Sequence, residues 1–242
     1  NMPYMISGAY SLPQKDVMSW IAKNRFTTES IINALQNKKD KLKDNHQVPT
    51  LKCDASADEV IIIGGGPNAE KHAHALKLLC KKNPDIILIH AGTRFVELFN
   101  ELPNKQYYCL LGAEGYKLQK SLSKINLDHI SVVLEPSPRQ MGTILPETIV
   151  PITFELSAIT FMEKYPDSLL TIAFQLAIDL QSKQVALFGL DGYDMQTEEQ
   201  MIEVSKENQL LIEAYTKNVG KLFSLTPSFY QGFDTISIYS KL

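Results

Sequence analysis

Strong charge of either sign is missing from this 242-residue chain: 24 Lys and Arg against 27 Asp and Glu leave a formal net charge of −3. That balance leaves no electrostatic footprint for nucleic acid or for an anionic membrane surface, so neither is expected as a partner. No apolar run approaches the ~20 residues that span a bilayer, and no secretory signal is visible at the start. Cysteine is scarce. Cys53, Cys80 and Cys109 lie far apart with no C-x-x-C pair, which fits a reducing compartment and a cytoplasmic setting. Glycine is sparse as well, 12 residues in all. With 44% hydrophobic and 21% charged residues, what is present suffices for an ordinary globular core.

Against that scarcity, three consecutive glycines need a local reason. Val60–Ile63 is a β-branched run, the composition of a strand buried on both faces. Gly64, Gly65 and Gly66 follow at once, then Pro67, which suits the first turn of a helix. Strand, glycine turn and helix open many nucleotide-binding α/β domains, where the free N–H groups at the helix start favour a phosphate. The alternative is that the glycines only let helix and sheet pack closely.

Residues 1–45 read as a separate helical segment, with Val17, Trp20 and Ile21 on one helix face and Ile31, Ile32 and Leu35 on another. Residues 46–57 form a polar linker. From residue 58 to 242 strands and helices alternate. Strands are expected at Val60–Ile63, Ile86–His90, Tyr107–Leu111, Ile130–Leu134, Val185–Phe188, Leu222–Leu225 and Ile236–Tyr239. Helices are expected at Pro67–Lys82, Thr93–Glu101, Gly115–Lys124, Ser168–Gln181 and Thr197–Val219. Short apolar strands separated by helices imply an α/β, Rossmann-like, mostly parallel sheet covered on both faces. Residues 135–151 hold four prolines and read as an irregular functional loop.

In such sheets ligands sit beyond the carboxyl ends of the strands, near the point where strand order reverses. That rule selects Gly64, Gly65, Gly66 and Asn68 after the first strand, and His90, Thr93 and Arg94 after the second. It also selects Gly112, Ala113 and Glu114 after the third strand, Glu135 after the fourth, and Gly189, Asp191 and Asp194 after the fifth. Asp191 and Asp194 are candidate ligands for a Mg²⁺ bridging phosphates, candidate partners of a ribose hydroxyl, or the caps of an Asx-type turn. His90 is a candidate phosphate donor, acid or base, or a structural residue. Thr93 reads as the N-cap of the next helix. Arg94 is a candidate partner of a ligand anion or of a surface carboxylate. His72 and His74 spell H-x-H, yet on a helix they point about 200° apart and cannot share an ion.

Two resemblances bear on function. Tyr4-Met5-Ile6-Ser7-Gly8-Ala9-Tyr10, with Leu12-Pro13, Val17-Met18 and Ser30–Gln36, resembles the segment after the barrel in HMG-CoA-lyase-like proteins of the 4-hydroxy-2-oxovalerate aldolase type. It implies a catalytic barrel upstream of Asn1, and hence an accessory role for this chain in a lyase, packed on that barrel or paired as a homodimer. Gly64, Gly66, Pro67, Gly189 and Asp191 are similar to the motifs of the MptE-like (DUF115) and bacterial sialyltransferase superfamily, with Asn68 where that pattern has serine. This second resemblance implies a nucleotide or nucleotide-sugar ligand and a transferase or pyrophosphokinase. An NAD(P) or FAD oxidoreductase fits less well. It needs an acidic residue about 20 positions beyond the glycines, where this chain ends its second strand in His90. A purely structural interaction domain is the remaining reading.

Overall fold

The computed structural model describes residues 48–52, 56–112, 114–121, 124, 127–137, 143, 145, 147–192 and 199–242. The N-terminal helical segment, residues 1–45, lies outside the described residues.

Strand β1 (Glu59–Ile63) is the β-branched run, and its last four residues are buried. Seven more strands follow: β2 (Ile87–His90), β3 (Gln106–Leu110), β4 (Ile130–Leu134), β5 (Thr153–Glu155), β6 (Gln184–Phe188), β7 (Leu222–Ser224) and β8 (Asp234–Thr235). They form one sheet in the order β5-β4-β3-β2-β1-β6-β7-β8. Every pairing is parallel, with Val60 opposite both Ile87 and Val185. A parallel sheet needs crossovers that cover both faces, and the helices supply them.

Because successive strand residues face opposite ways, one apolar run serves two cores. Val60 and Ile62 face α5 (Leu169–Asp179) and α6 (Glu199–Asn218), together with Val185 and Leu187. Ile61 and Ile63 face α1 (Pro67–Lys71) and α2 (Ala73–Lys82), together with Ala186 and Phe188. Helices α3 (Val96–Phe99) and α4 (Glu114–Ser121) extend that second layer towards β3 and β4. Helix α5 is buried continuously from Leu170 to Ala177, as an apolar helix between a sheet and a second helix must be.

Several expectations are corrected. The helix expected over 67–82 breaks at His72, whose φ of −106° and ψ of 12° leave the helical region; its Nδ1 lies 3.1 Å from the Tyr239 hydroxyl. Within the proline-rich connection, Glu147–Ile152 forms a 3₁₀ helix, and the unforeseen three-residue β5 follows it at the sheet edge. The strand expected over 236–239 is instead the two-residue β8 and a 3₁₀ helix over Ile238–Lys241. Ile238 is buried there while Ile236 and Tyr239 stay exposed, and the Ile236 and Ile238 N–H groups donate to Ser224 O and Leu225 O at 2.8 and 3.1 Å. Part of the expected linker packs as well. Leu51 N–H donates to Glu155 O at 2.8 Å, covering the β5 edge, and Ala57 N–H donates to Leu180 O, just after α5, at 3.0 Å.

Candidate functional site

Strand order reverses between β1 and β6, so the loops after these two strands leave the same end of the sheet side by side. The structure ties them together. Gly64 N–H donates to Phe188 O and Gly66 N–H to Gly189 O, both at 2.8 Å. Asn68 N–H donates to Asp191 Oδ2 at 2.7 Å. A Cβ on Gly66 would lie 2.5 Å from Asp191 Cγ and 2.7 Å from Gly189 O. Gly189 has φ +66°, and a Cβ there would meet Ala69 Cβ at 2.4 Å. These two glycines therefore allow two loops to touch, the close approach that any side chain would prevent.

The loop after β7 is a third wall, which the sequence reading left out. Gly189 N–H donates to Thr226 Oγ1 at 2.9 Å, Ser228 Oγ donates to Leu190 O at 2.6 Å, and Phe229 N–H donates to Asp191 O at 2.7 Å. Asn68 Nδ2 reaches Pro227 O at 3.2 Å. The strand-end rule, applied to the apolar stretch over 222–225, would have found Thr226, Ser228 and Phe229.

Of the expected ligand residues, Gly64, Gly65, Gly66, Asn68, Gly189 and Asp191 converge. Asp191 is 9% exposed, and its Oδ1 has no hydrogen-bond partner among the described residues. Arg94 joins them from the loop after β2: its exposed guanidinium donates to Gly65 O at 2.5 Å. At the helix start expected to seat a phosphate, the Asn68 amide donates to the Asp191 carboxylate.

The other expected residues do not join this cluster. His90 turns inward, stacked on Tyr108 at 4.1 Å between ring centroids, with Nε2–H donating to Gln106 Oε1 at 2.9 Å. Burial pushes its pKa down to about 3, the Gln106 bond opposing, so the ring is neutral and sealed from ligand. Thr93 does not cap α3, which begins after Phe95 with no side-chain cap. Its N–H and hydroxyl both donate to Glu114 Oε2, at 2.8 and 2.6 Å. Glu135 is buried at the end of β4, three strand positions from β1, or about 14 Å at ordinary strand spacing. Asp194 lies outside the described residues. Among the described residues no group of three or more His, Cys, Asp or Glu could hold a metal ion. Asp191 Oδ1 fits a Mg²⁺ that takes one protein carboxylate and draws its other ligands from phosphate and water.

No protein-family profile matches the chain, and no curated protein sequence does. Among solved structures, MAf glycosyltransferase from Magnetospirillum magneticum AMB-1 aligns over 84% of this chain with a TM-score of 0.56 and 12% identity. The fold is similar to that of a glycosyltransferase. At that identity the likeness is one of fold alone, and this chain spans 37% of the length of that protein. The Rossmann-like expectation stands. The aldolase resemblance rests on residues 4–36, outside the described residues. No helix among the described residues is long and apolar enough to cross a membrane.

Proposed function

We propose that this chain is the nucleotide-binding part of a transferase that uses a nucleotide or nucleotide-sugar, with its ligand seated between the loops after β1, β6 and β7. The observation that carries this reading is the orphan Oδ1 of the nine-tenths buried Asp191, at the point where strand order reverses. A buried carboxylate oxygen without a donor is costly, and a ligand hydroxyl, amine or bridging Mg²⁺ would relieve it. The glycosyltransferase-like fold supports the transferase reading over the lyase reading. An oxidoreductase is disfavoured, because β2 ends in the buried His90 and not in an acid facing a ribose.

A second reading has one observation in its favour. Gly64, Gly66 and Asn68 all direct their amides to protein acceptors, as a turn that only joins two loops would. Thermal unfolding against nucleotides, nucleotide-sugars, NAD(P) and FAD, each with and without Mg²⁺, separates the two. A ligand at ~100 times its Kd stabilises by roughly 2.7 kcal/mol, about 5–11 °C for a chain this size. A shift confined to nucleotides or nucleotide-sugars supports the transferase reading, and transfer or hydrolysis of that nucleotide-sugar completes the test. No shift across the panel leaves the glycine turn a structural joint.

A further inference from the structure

At the end of the sheet opposite the candidate site, a groove of about 470 Å³ crosses the amino ends of β2, β3 and β4. Pro84, Ile87, Pro103 and Ile130 give it an apolar lining, and the exposed Asp85 and Asp128 give it negative charge. Lys105 also lines it, with its Nζ 5.0 Å from the centroid of the Tyr107 ring.

The direction of the chain beside β5 brings another part of the sequence to this end. Thr50 pairs in parallel with Glu155 at the outer edge of the sheet, so Val48, Pro49 and Thr50 run the same way as the strands. Traced backwards from Val48, the chain leaves towards the amino ends. Val48 packs on the cluster that contains Ile130, itself a residue of the groove. It lies two strand positions from β4, or about 10 Å at ordinary strand spacing.

Residues 1–47 precede this point and lie outside the described residues. Their sequence is complementary to the groove. Ile31, Ile32 and Leu35 form one apolar stripe, and Lys38, Lys39, Lys41 and Lys43 follow it, with Asp40 the only acid among positions 38–43. Positions 36–47 span up to ~40 Å when extended, several times the distance to be crossed.

We propose that the groove is the seat of this chain's own N-terminal segment. The stripe of Ile31, Ile32 and Leu35 covers Pro84, Ile87, Pro103 and Ile130, and the lysines that follow it lie against Asp85 and Asp128. Removing apolar surface from water supplies the attraction, and complementary charge fixes which way the segment lies. The segment is then a cover for the amino end of the sheet, and it leaves the carboxyl-end loops of the candidate site open.

Paired cysteines in the full chain test this, joined by a short bis-maleimide in a Cys53→Ser background, where the remaining Cys80 and Cys109 are buried. Gln36→Cys with Ser131→Cys places one thiol beside the stripe and one in the groove. Gln36→Cys with Phe229→Cys places the second thiol at the opposite end of the sheet, on a residue 67% exposed. The intrachain product of the first pair should form at least about tenfold faster than that of the second, because docking raises the effective concentration of one thiol at the other. Asp85→Asn with Asp128→Asn should slow the first pair roughly two- to fivefold, the range of one or two exposed ion pairs, and leave the second pair unchanged. Ile31→Ser with Leu35→Ser should bring the two pairs to the same rate; this variant alters the segment alone, so it keeps the test valid if melting curves show the groove variant unfolded. Equal rates for the two pairs with segment and groove intact would overturn the proposal. So would product formed between chains in proportion to protein concentration, which would assign the groove to a second copy.

Discussion

The main-chain N–H of Asn68 donates to Asp191 Oδ2 at 2.7 Å, across 123 positions of sequence. This bond joins the two loops that leave the sheet where strand order reverses. It puts a protein carboxylate on the helix-start amide, where a nucleotide fold often puts a phosphate.

The contact predicts unequal roles for neighbouring glycines. Gly66→Val forces a side chain into Asp191 and Gly189, and overpacking of this kind costs about 1–3 kcal/mol. Gly65→Ala meets only the Arg94 side chain at 3.7 Å and should stay within about 0.5 kcal/mol of wild type. Urea unfolding of the two variants checks this. Equal losses would mean that the loops are not in contact at Gly66.

His90 makes stability depend on pH. Its folded pKa is pushed down to about 3 by burial, against an ordinary value of about 6.5. Above pH ~6.5 the ring is neutral in both states and contributes no slope. Between there and pH ~3 the unfolded chain takes up a proton that the folded chain refuses, so stability falls as pH is lowered. From pH 6 to 5 the loss from this group is about 1 kcal/mol. Urea midpoints of wild type and His90→Gln over that interval should diverge in slope by this amount, and parallel slopes would show a solvated ring.

Gln106 is the buried hub that holds His90. Its Oε1 accepts from His90 Nε2 and from the Tyr108 hydroxyl, at 2.9 and 3.0 Å, and its Nε2 donates to Phe99 O at 2.9 Å. Gln106→Leu strands three buried groups, at about 1–3 kcal/mol each when a partner is removed, so a total near 3 kcal/mol or more is expected. Tyr108→Phe removes one bond of the three and should cost about 1 kcal/mol. Chemical denaturation of both variants gives the comparison.

Cys80 and Cys109 are predicted to be inert in the folded protein. Burial, helped by the Glu59 charge, pushes the Cys80 thiol up to about 12, and burial alone raises Cys109. Alkylation with iodoacetamide at pH 8, followed by peptide mapping, should label both only after unfolding. Labelling of either within minutes in buffer would place it at a surface.

The order of strands and helices was legible because its signals are local. A β-branched run, a glycine turn with Pro67, and apolar residues at helical or alternating spacing each lie within about a dozen neighbours. For that reason β1, its turn and the doubly covered parallel sheet could be read directly, and so could Gly64–Asn68 and Gly189–Asp191, each as a strand-end loop. Short edge elements escaped. Three-residue β5 and two-residue β8 carry too few residues for a period, and they exist because a neighbouring strand offers free hydrogen bonds.

Side-chain direction was decided only by tertiary structure. His90 is the last residue of β2 and Asp191 lies three residues beyond β6, and both read from sequence as polar groups at a strand end. Packing against Tyr108 and Gln106 turns the histidine into the core, whereas the reversal of strand order between β1 and β6 sets Asp191 against Gly66 and Asn68. Composition and periodicity report what a residue's near neighbours do; which distant loop comes to lie beside it depends on how the strands are ordered in the sheet.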